Sequence, residues 1–308
     1  MRRWRRLFWR RFKGWIQALR VHFLSASMLP VLLGSFVARK AGPVNGWRLL
    51  LVLAGVFFYH SGANLINDLY DEEADRLNRQ PSLFNGGSRV LVNKIITAAQ
   101  LKKAVALCYT LGSVCAFVLA LTGGGVGVLL FALAGLGCGY FYSAPPVRLA
   151  ATGLGELCVG LAFGPFLVLG TTAALAGRFL PNALLVSLPV GVLIAAVVLI
   201  NELPDLESDR QAGKRTLAVR LGRAQSIRLL VVLLVIASSL LYLSFLRLGA
   251  RRYGAGSILT LPLGFWLWSQ RHGGLKEAPR FMLASTAMIL LHTACGLMLI
   301  FTLVKGGN

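Results

Sequence analysis

Nine of the eleven carboxylates in this 308-residue chain fall in two octapeptides. Asp68, Asp71, Glu72, Glu73 and Asp75 make the first, and Glu202, Asp205, Glu207 and Asp209 the second, leaving only Glu156 and Glu277 apart. Carboxylates this dense repel one another unless protons or cations neutralise them. At 3.6 residues per turn, Asn64, Asp68, Asp71 and Asp75 point within an arc of about 60°, and Asn201, Asp205 and Asp209 within about 80°. Both stretches repeat one pattern of Asn, acid four later and acid eight later (Asn64, Asp68, Glu72; Asn201, Asp205, Asp209), which suggests an internal duplication. Hard oxygen ligands suit Mg²⁺, which takes one or two carboxylates together with water and substrate phosphates. Two such rows facing each other would clamp a diphosphate through two or three ions. The competing reading is a pair of hydrated helix ends whose acids pair with Arg76, Arg79, Arg210, Lys214 and Arg215.

Basic residues beside the clusters fit an anionic substrate. Arg89, Lys94, Arg148, Lys214 and Arg215 are candidates to balance a departing diphosphate, although each could equally be a determinant of membrane topology. His60 lies one turn before Asn64 and lines a cavity or makes a hydrogen bond between helices. FNGGSR at 84–89 offers backbone N–H groups to an anion, or is simply a loop. Pro145-Pro146 ends an apolar span, and Pro204 should unwind the second acidic stretch and splay Asp205 and Asp209.

The elements that position these residues are set by composition. Hydrophobic residues make up 56% of the chain, charged residues 14%, and the mean hydropathy is +0.69. That excludes a disordered chain and an ordinary water-soluble enzyme, and it describes an all-α polytopic membrane protein. Nine apolar spans are legible, at about 22–39, 48–66, 104–122, 126–142, 154–176, 183–201, 229–247, 256–269 and 281–304. With the N-terminus cytoplasmic, 24 of the 32 Lys and Arg fall on the cytoplasmic side, and both acidic clusters end even-numbered spans on that same side. The net charge of +21 is therefore a topology signal. No nucleic-acid partner is expected, because the basic residues form no phosphate-tracking stripe. Residues 1–20 interleave basic residues with Trp4, Leu7, Phe8, Trp9, Phe12, Trp15 and Ile16, as an amphipathic helix on an anionic leaflet would, or a plain basic flank. The five cysteines lie inside apolar spans without paired spacing, as buried small hydrophobes.

Several motifs resemble the UbiA superfamily of intramembrane prenyltransferases. NDLYDEEAD (67–75) is similar to its first aspartate motif, NELPDLESDRQAGKRTLAVRLG (201–222) to its second, and YSAPPVRLAATGLGE (142–156) to the loop after its fourth helix. The resemblance runs from about residue 20 to the C-terminus. It implies nine transmembrane helices around a central cavity under a cytoplasmic cap, with 1–20 as an added segment and 21–308 as one domain of two pseudo-repeats, about 21–150 and 151–308. It implies Mg²⁺ held by Asp68, Asp71, Asp75, Asp205 and Asp209. Asn64, Asn67, Asn201, Arg89, Arg148, Lys214, Arg215 and Tyr142 are implied as substrate-binding residues. A polyprenyl diphosphate would ionise and alkylate an aromatic acceptor, with the tail in membrane lipid. NGGSRVL, YSAPPVRL, GLAFGP and GKRTLAVRLG are most similar to members acting on 1,4-dihydroxy-2-naphthoate in menaquinone synthesis, which implies loss of CO₂ and a bacterial inner membrane. 4-Hydroxybenzoate, homogentisate and 1,4-dihydroxy-6-naphthoate are the other acceptors expected. From a different class, a cation-coupled transporter would also use repeated acidic helices, but nearer the bilayer midplane.

Overall fold

In the computed structural model, residues 2–305 are described, with side chains from residue 8 onward. The expected apolar positions Trp4 and Leu7 therefore lie outside the described side chains. Thirteen α-helices run among the described residues: α1 Arg2–Ala18, α2 Leu24–Ala41, α3 Gly46–Tyr70, α4 Glu72–Leu77, α5 Ala98–Leu119, α6 Gly125–Phe141, α7 Gly155–Leu161, α8 Leu167–Ala176, α9 Pro181–Glu202, α10 Leu206–Gln211, α11 Leu217–Arg247, α12 Thr260–Ser269 and α13 Ala278–Lys305. No strand forms among them. Among the described residues seven stretches are helical, long and apolar enough to cross a membrane. Helices suit that setting because every interior backbone N–H is satisfied within its own segment.

Each apolar span of the sequence meets a helix, with informative departures. Ala98–Phe141 is continuous in apolarity but breaks at Thr122 and Gly123, where Gly123 (φ 112°) turns the chain from α5 to α6. The span at 256–269 is a run of 3-10 turns, Arg251–Leu259, followed by the ten residues of α12. α3 continues to Tyr70, four residues past the expected end. All five cysteines are free thiols.

α9 is the best-buried span and packs against α7, α11, α13 and α2. A second core joins α2, α3, α5, α6 and α8. α1 is a separate layer. Its Gly14, Trp15 and Ala18 pack toward the 90–96 loop beneath α3, while Phe8, Trp9, Phe12 and Ile16 remain exposed on another face.

The approach of α9 to the α7–α8 segment is closest at glycines. A Cβ on Gly164 would meet the Gly191 Cα at 2.6 Å, and a Cβ on Gly191 would meet the Gly160 carbonyl oxygen at 2.5 Å. Small residues at a crossing let backbones touch, which is how helices associate when lipid removes the hydrophobic drive. Gly191→Leu should therefore separate the helices and cost about 1–3 kcal/mol, read as a lowered thermal unfolding midpoint in detergent. An unchanged midpoint would refute the close crossing.

Candidate active site

Both acidic stretches sit where a spanning helix stops and a six-residue helix begins. α3 ends at Tyr70 and α4 starts at Glu72, with Asp71 (φ −102°, ψ 6°) out of helical geometry. α9 ends at Glu202, and α10 starts at Leu206 after a turn containing Pro204. The expected single carboxylate face on one continuous helix is thus corrected to helix, break, short helix, twice over. The unwinding expected at Pro204 is present. α4 packs against α10, which brings the two stretches together. The break also sorts the acids. Glu72 and Glu207 turn outward to exposed partners Arg76 and Arg210 at 2.8 and 3.7 Å, while the aspartates turn inward.

A cavity of about 410 Å³ lies beneath this junction. Its wall includes Asp71, Asp75, Asp205, Asp209, Asn64, Asn67, Asn201, Lys214 and Tyr142 from the sequence reading, and also His60. Its deeper wall is apolar, with Val56, Phe163, Leu167, Ile194, Val197 and Ile289.

Five expected residues are placed elsewhere, among them Lys94, which is exposed and outside the cavity wall. Asp68 is buried behind the cavity wall, because a carboxylate at that depth needs partners: Arg20 Nη2 reaches its Oδ1 at 2.6 Å, and the backbone N–H and hydroxyl of Ser88 donate to it. Arg89 donates to the backbone carbonyls of Asp75 (2.7 Å) and Asn78 (3.4 Å), so it clamps the loop and does not face the cavity. Arg148 and Arg215 are exposed and do not line it. They follow sharp turns that direct long, strongly hydrated side chains to water.

Residues the sequence reading missed do much of the compensating. Arg20, in a left-handed turn (φ 48°) after α1, lines the cavity and also donates to Asn67 Oδ1 at 2.8 Å. Asn78 and Asn85 donate to Asp205 Oδ1 at 2.6 and 2.9 Å, and the Gly86 N–H to its Oδ2 at 3.1 Å. The Gly-rich loop therefore serves a carboxylate of the second motif, and a Cβ on Gly87 (φ 66°) would collide with the Asp75 carboxylate. Lys214 Nζ bridges the two motifs, 3.1 Å from both Asp71 and Asp209. The backbone N–H groups expected from FNGGSR do reach an anion, through Gly86, whereas the signal for Asn78 and Asn85 was only the density of Asn after the first motif.

The electrostatics follow. Burial, then the neighbouring Asp71 and Asp68, outweigh the opposing charge of Arg20 and push the Asp75 carboxyl up to about 7. Burial also raises Asp209, to about 6, against the pull of Lys214. Asp205 is raised by burial and restrained by Asn85 and Gly86. Burial works against charge on Lys214, but Asp71 and Asp209 prevail and hold it above its ordinary range.

Among the described residues no three His, Cys, Asp or Glu side chains stand close enough to ligate one ion as they are arranged. The donor set still fits Mg²⁺, since carboxylate and amide oxygens of both motifs share one cavity mouth, and Lys214 stands as the cation between Asp71 and Asp209.

Residues 27–289 match the UbiA prenyltransferase family. The chain belongs to that family. It is accordingly a prenyltransferase and an integral membrane protein. It is 27% identical to 1,4-dihydroxy-2-naphthoate octaprenyltransferase of Bacillus subtilis over 72% of this chain and 70% of that one. It is 31% identical to UbiA prenyltransferase domain-containing protein 1 of Xenopus tropicalis over 83% and 73%. The fold matches a UbiA homologue from Archaeoglobus fulgidus bound to GPP and Mg²⁺, with TM-score 0.70 and 21% identity over 94% of this chain and 99% of that one.

The raised Asp75 and Asp209 carboxyls make a testable statement about this UbiA chain. The folded protein holds these protons more tightly than the unfolded chain does, so stability falls as pH rises from about 4 to about 7. In EDTA the unfolding midpoint should drop across that window, and Asp75→Asn should flatten the drop. A midpoint flat with pH in the parent protein would contradict the burial of these groups.

Proposed function

We propose that this UbiA-family enzyme transfers a polyprenyl group from polyprenyl diphosphate to 1,4-dihydroxy-2-naphthoate, with release of diphosphate and CO₂. The single observation carrying the site assignment is the Lys214 bridge, which unites Asp71 of the first motif and Asp209 of the second over one cavity. The acceptor assignment rests on the B. subtilis relative, and the eukaryotic relatives leave other aromatic acceptors as the alternative.

Asp71, Asp75, Asp205 and Asp209, with Asn67, are the residues we assign to hold Mg²⁺. Bound there, Mg²⁺ would neutralise the diphosphate and favour its departure. Lys214 and Arg20 then have two tasks. Unloaded, they compensate buried aspartates; with donor present, they are placed to pair with its phosphate oxygens. Asp68 orients Arg20 from behind. The apolar wall around Phe163 and Val197 excludes water, so that the allylic cation formed when the C–O bond breaks meets the ring carbon first. The new C–C bond replaces the bond to the carboxylate, which leaves as CO₂.

Nine crossings support this reading better than seven. The α5–α6 stretch turns back on itself at Gly123, and Arg251–Leu259 with α12 spans about 33 Å, enough for one further crossing. The charge bias of the loops supports a cytoplasmic N-terminus and cavity mouth, and the B. subtilis relative supports a bacterial cytoplasmic membrane. In that arrangement α1 lies along the leaflet, with Phe8, Trp9, Phe12 and Ile16 in the interface and Arg10 and Lys13 toward anionic headgroups.

The test is transfer by the purified protein with Mg²⁺, a polyprenyl diphosphate and a panel of aromatic acceptors, read by mass spectrometry. A prenylated, decarboxylated naphthoquinol is expected; prenylation of another ring only would move the acceptor. Asp71→Ala and Asp205→Ala should each lower the rate by about 100-fold or more while the protein stays folded. Full activity in both would overturn the metal assignment. Arg20→Gln should raise the KM for the donor by about 10-fold and leave that for the acceptor unmoved.

A further inference from the structure

One wall of the cavity carries carboxyl and amide oxygens with unfilled accepting positions. Glu202 ends α9 and lines the cavity, and its Oε2 takes one long bond, 3.4 Å, from the Ala218 N–H. Beside it, Asn201 also lines the cavity, and its buried Oδ1 receives no hydrogen bond. Behind it on α7 lies Glu156, only 5% exposed, with both carboxyl oxygens buried and unpartnered. The Glu156 and Glu202 carboxyl groups are close neighbours. Among the described residues neither forms an ion pair, and the nearby Lys214 is committed to Asp71 and Asp209. Tyr142 completes the wall. Its phenol is held above its ordinary range by burial and then by Glu202 and Glu156.

Buried acceptors left without donors are costly, and native proteins rarely leave several together without a use. The metal and diphosphate assignment uses neither Glu202 nor Glu156, because it draws on the aspartates beyond the α9 break. The Glu202 and Asn201 oxygens have unfilled accepting positions, and a ligand seated in the cavity supplies the donor. A hydroxyl-bearing aromatic ring carries O–H donors on a flat apolar body, and the cavity offers Phe163 and Val198 for that body.

We propose that Glu202, backed by Glu156 and flanked by Asn201, is the hydrogen-bond acceptor that seats a ring hydroxyl of the aromatic acceptor and so selects dihydroxyarenes. This rests on the aromatic prenyl transfer proposed above and names the feature of the acceptor that the cavity recognises. The carboxylate of a hydroxynaphthoate pairs with cations, so it faces the side of the cavity where Arg20 and Lys214 stand, away from Glu202. A hydroxyl on the opposite side of the ring is then the one against Glu202. Fixing the ring by one hydroxyl at this wall sets which carbon meets the prenyl cation.

The test uses the full chain in lipid nanodiscs with 1,4-dihydroxy-2-naphthoate and its two mono-O-methyl ethers, the ethers scored as competitive inhibitors. In the parent protein one ether should bind about 10-fold more weakly than the diol. In Glu202→Gln, which keeps one accepting oxygen beside an NH2 group, the KM for the diol should rise and discrimination against that ether should fall by about 3-fold. The KM for polyprenyl diphosphate and the Mg²⁺ dependence should not move. Glu202→Asp should recover part of the loss. Glu156→Gln, which alters the wall from behind, should shift the same ratio in the same direction and guards against a folding defect in the first variant. Equal discrimination in parent and Glu202→Gln overturns the inference while leaving prenyl transfer intact. A shift in donor KM or Mg²⁺ dependence as large as the acceptor shift assigns Glu202 to the diphosphate site and overturns it as well. A parent protein that prenylates no hydroxyarene overturns the proposed function and takes this inference with it.

Discussion

Five aspartates must be buried at the edge of a low-dielectric helix bundle, and nearly everything around them follows from that requirement. An isolated carboxylate at such depth costs several kcal/mol unless it is paired and hydrogen-bonded. Asp68 is met by Arg20 and Ser88, Asp71 by Asn67 and Lys214, Asp205 by Asn78, Asn85 and Gly86, and Asp209 by Lys214. Asp75 has no such side-chain partner among the described residues, and it is the one pushed up furthest, to about 7. The compensating groups come from the segment after α1, from the 78–88 loop and from the loop after α10. These pieces, remote in sequence, are therefore pinned over one cavity mouth. The cap is a consequence of solvating carboxylates with protein.

The helix breaks make that pinning possible. On an unbroken helix, residues four apart stack on one face and their acids would repel along its length. Breaking α3 at Asp71 and α9 at Leu203–Asp205 turns α4 and α10 out of line, so that one aspartate per motif faces the other motif across Lys214. Both halves of the chain solve the problem in the same way, as the shared Asn–acid–acid spacing suggested. The second half has proline to force the break. The first has none, and its break follows from tertiary contacts to Asp71 through Asn67 and Lys214.

That difference explains what was legible. Apolar runs near bilayer length located the spanning helices, because the membrane tolerates little else. Acid spacing located the site but overstated its regularity, since a three- and four-residue rhythm fits a continuous helix as well as a broken one. Pro204 announced its break, and Asp71 had nothing local to announce. The basic residues were the hardest to sort. Arg215 directly follows Lys214, and Arg89 and Arg148 present as equal candidates, yet of the four only Lys214 faces the cavity. Arg20 closes a basic N-terminal segment that reads as topology or as a leaflet anchor. Charge counting weighs a loop as a whole, whereas function depends on a single backbone turn, such as the left-handed one at Arg20, that no periodicity records.

The same sorting applies inside the cavity, where polarity is divided by sign and not merely by amount. Arg20 and Lys214 supply cationic donors to the aspartate mouth, and Glu202, Asn201 and Glu156 present oxygens with unfilled accepting positions. Between them the wall is apolar. A reaction that releases a highly charged anion and creates a cation on a hydrocarbon needs this separation. The leaving group is stabilised where positive charge is available, and the hydroxyl edge of the ring is oriented where it is not. Were the donors spread evenly, they would hold the substrates' ground states as firmly as the separated charges. Their segregation makes the cavity's field strongest once the C–O bond has stretched, which is the point at which stabilisation accelerates the transfer.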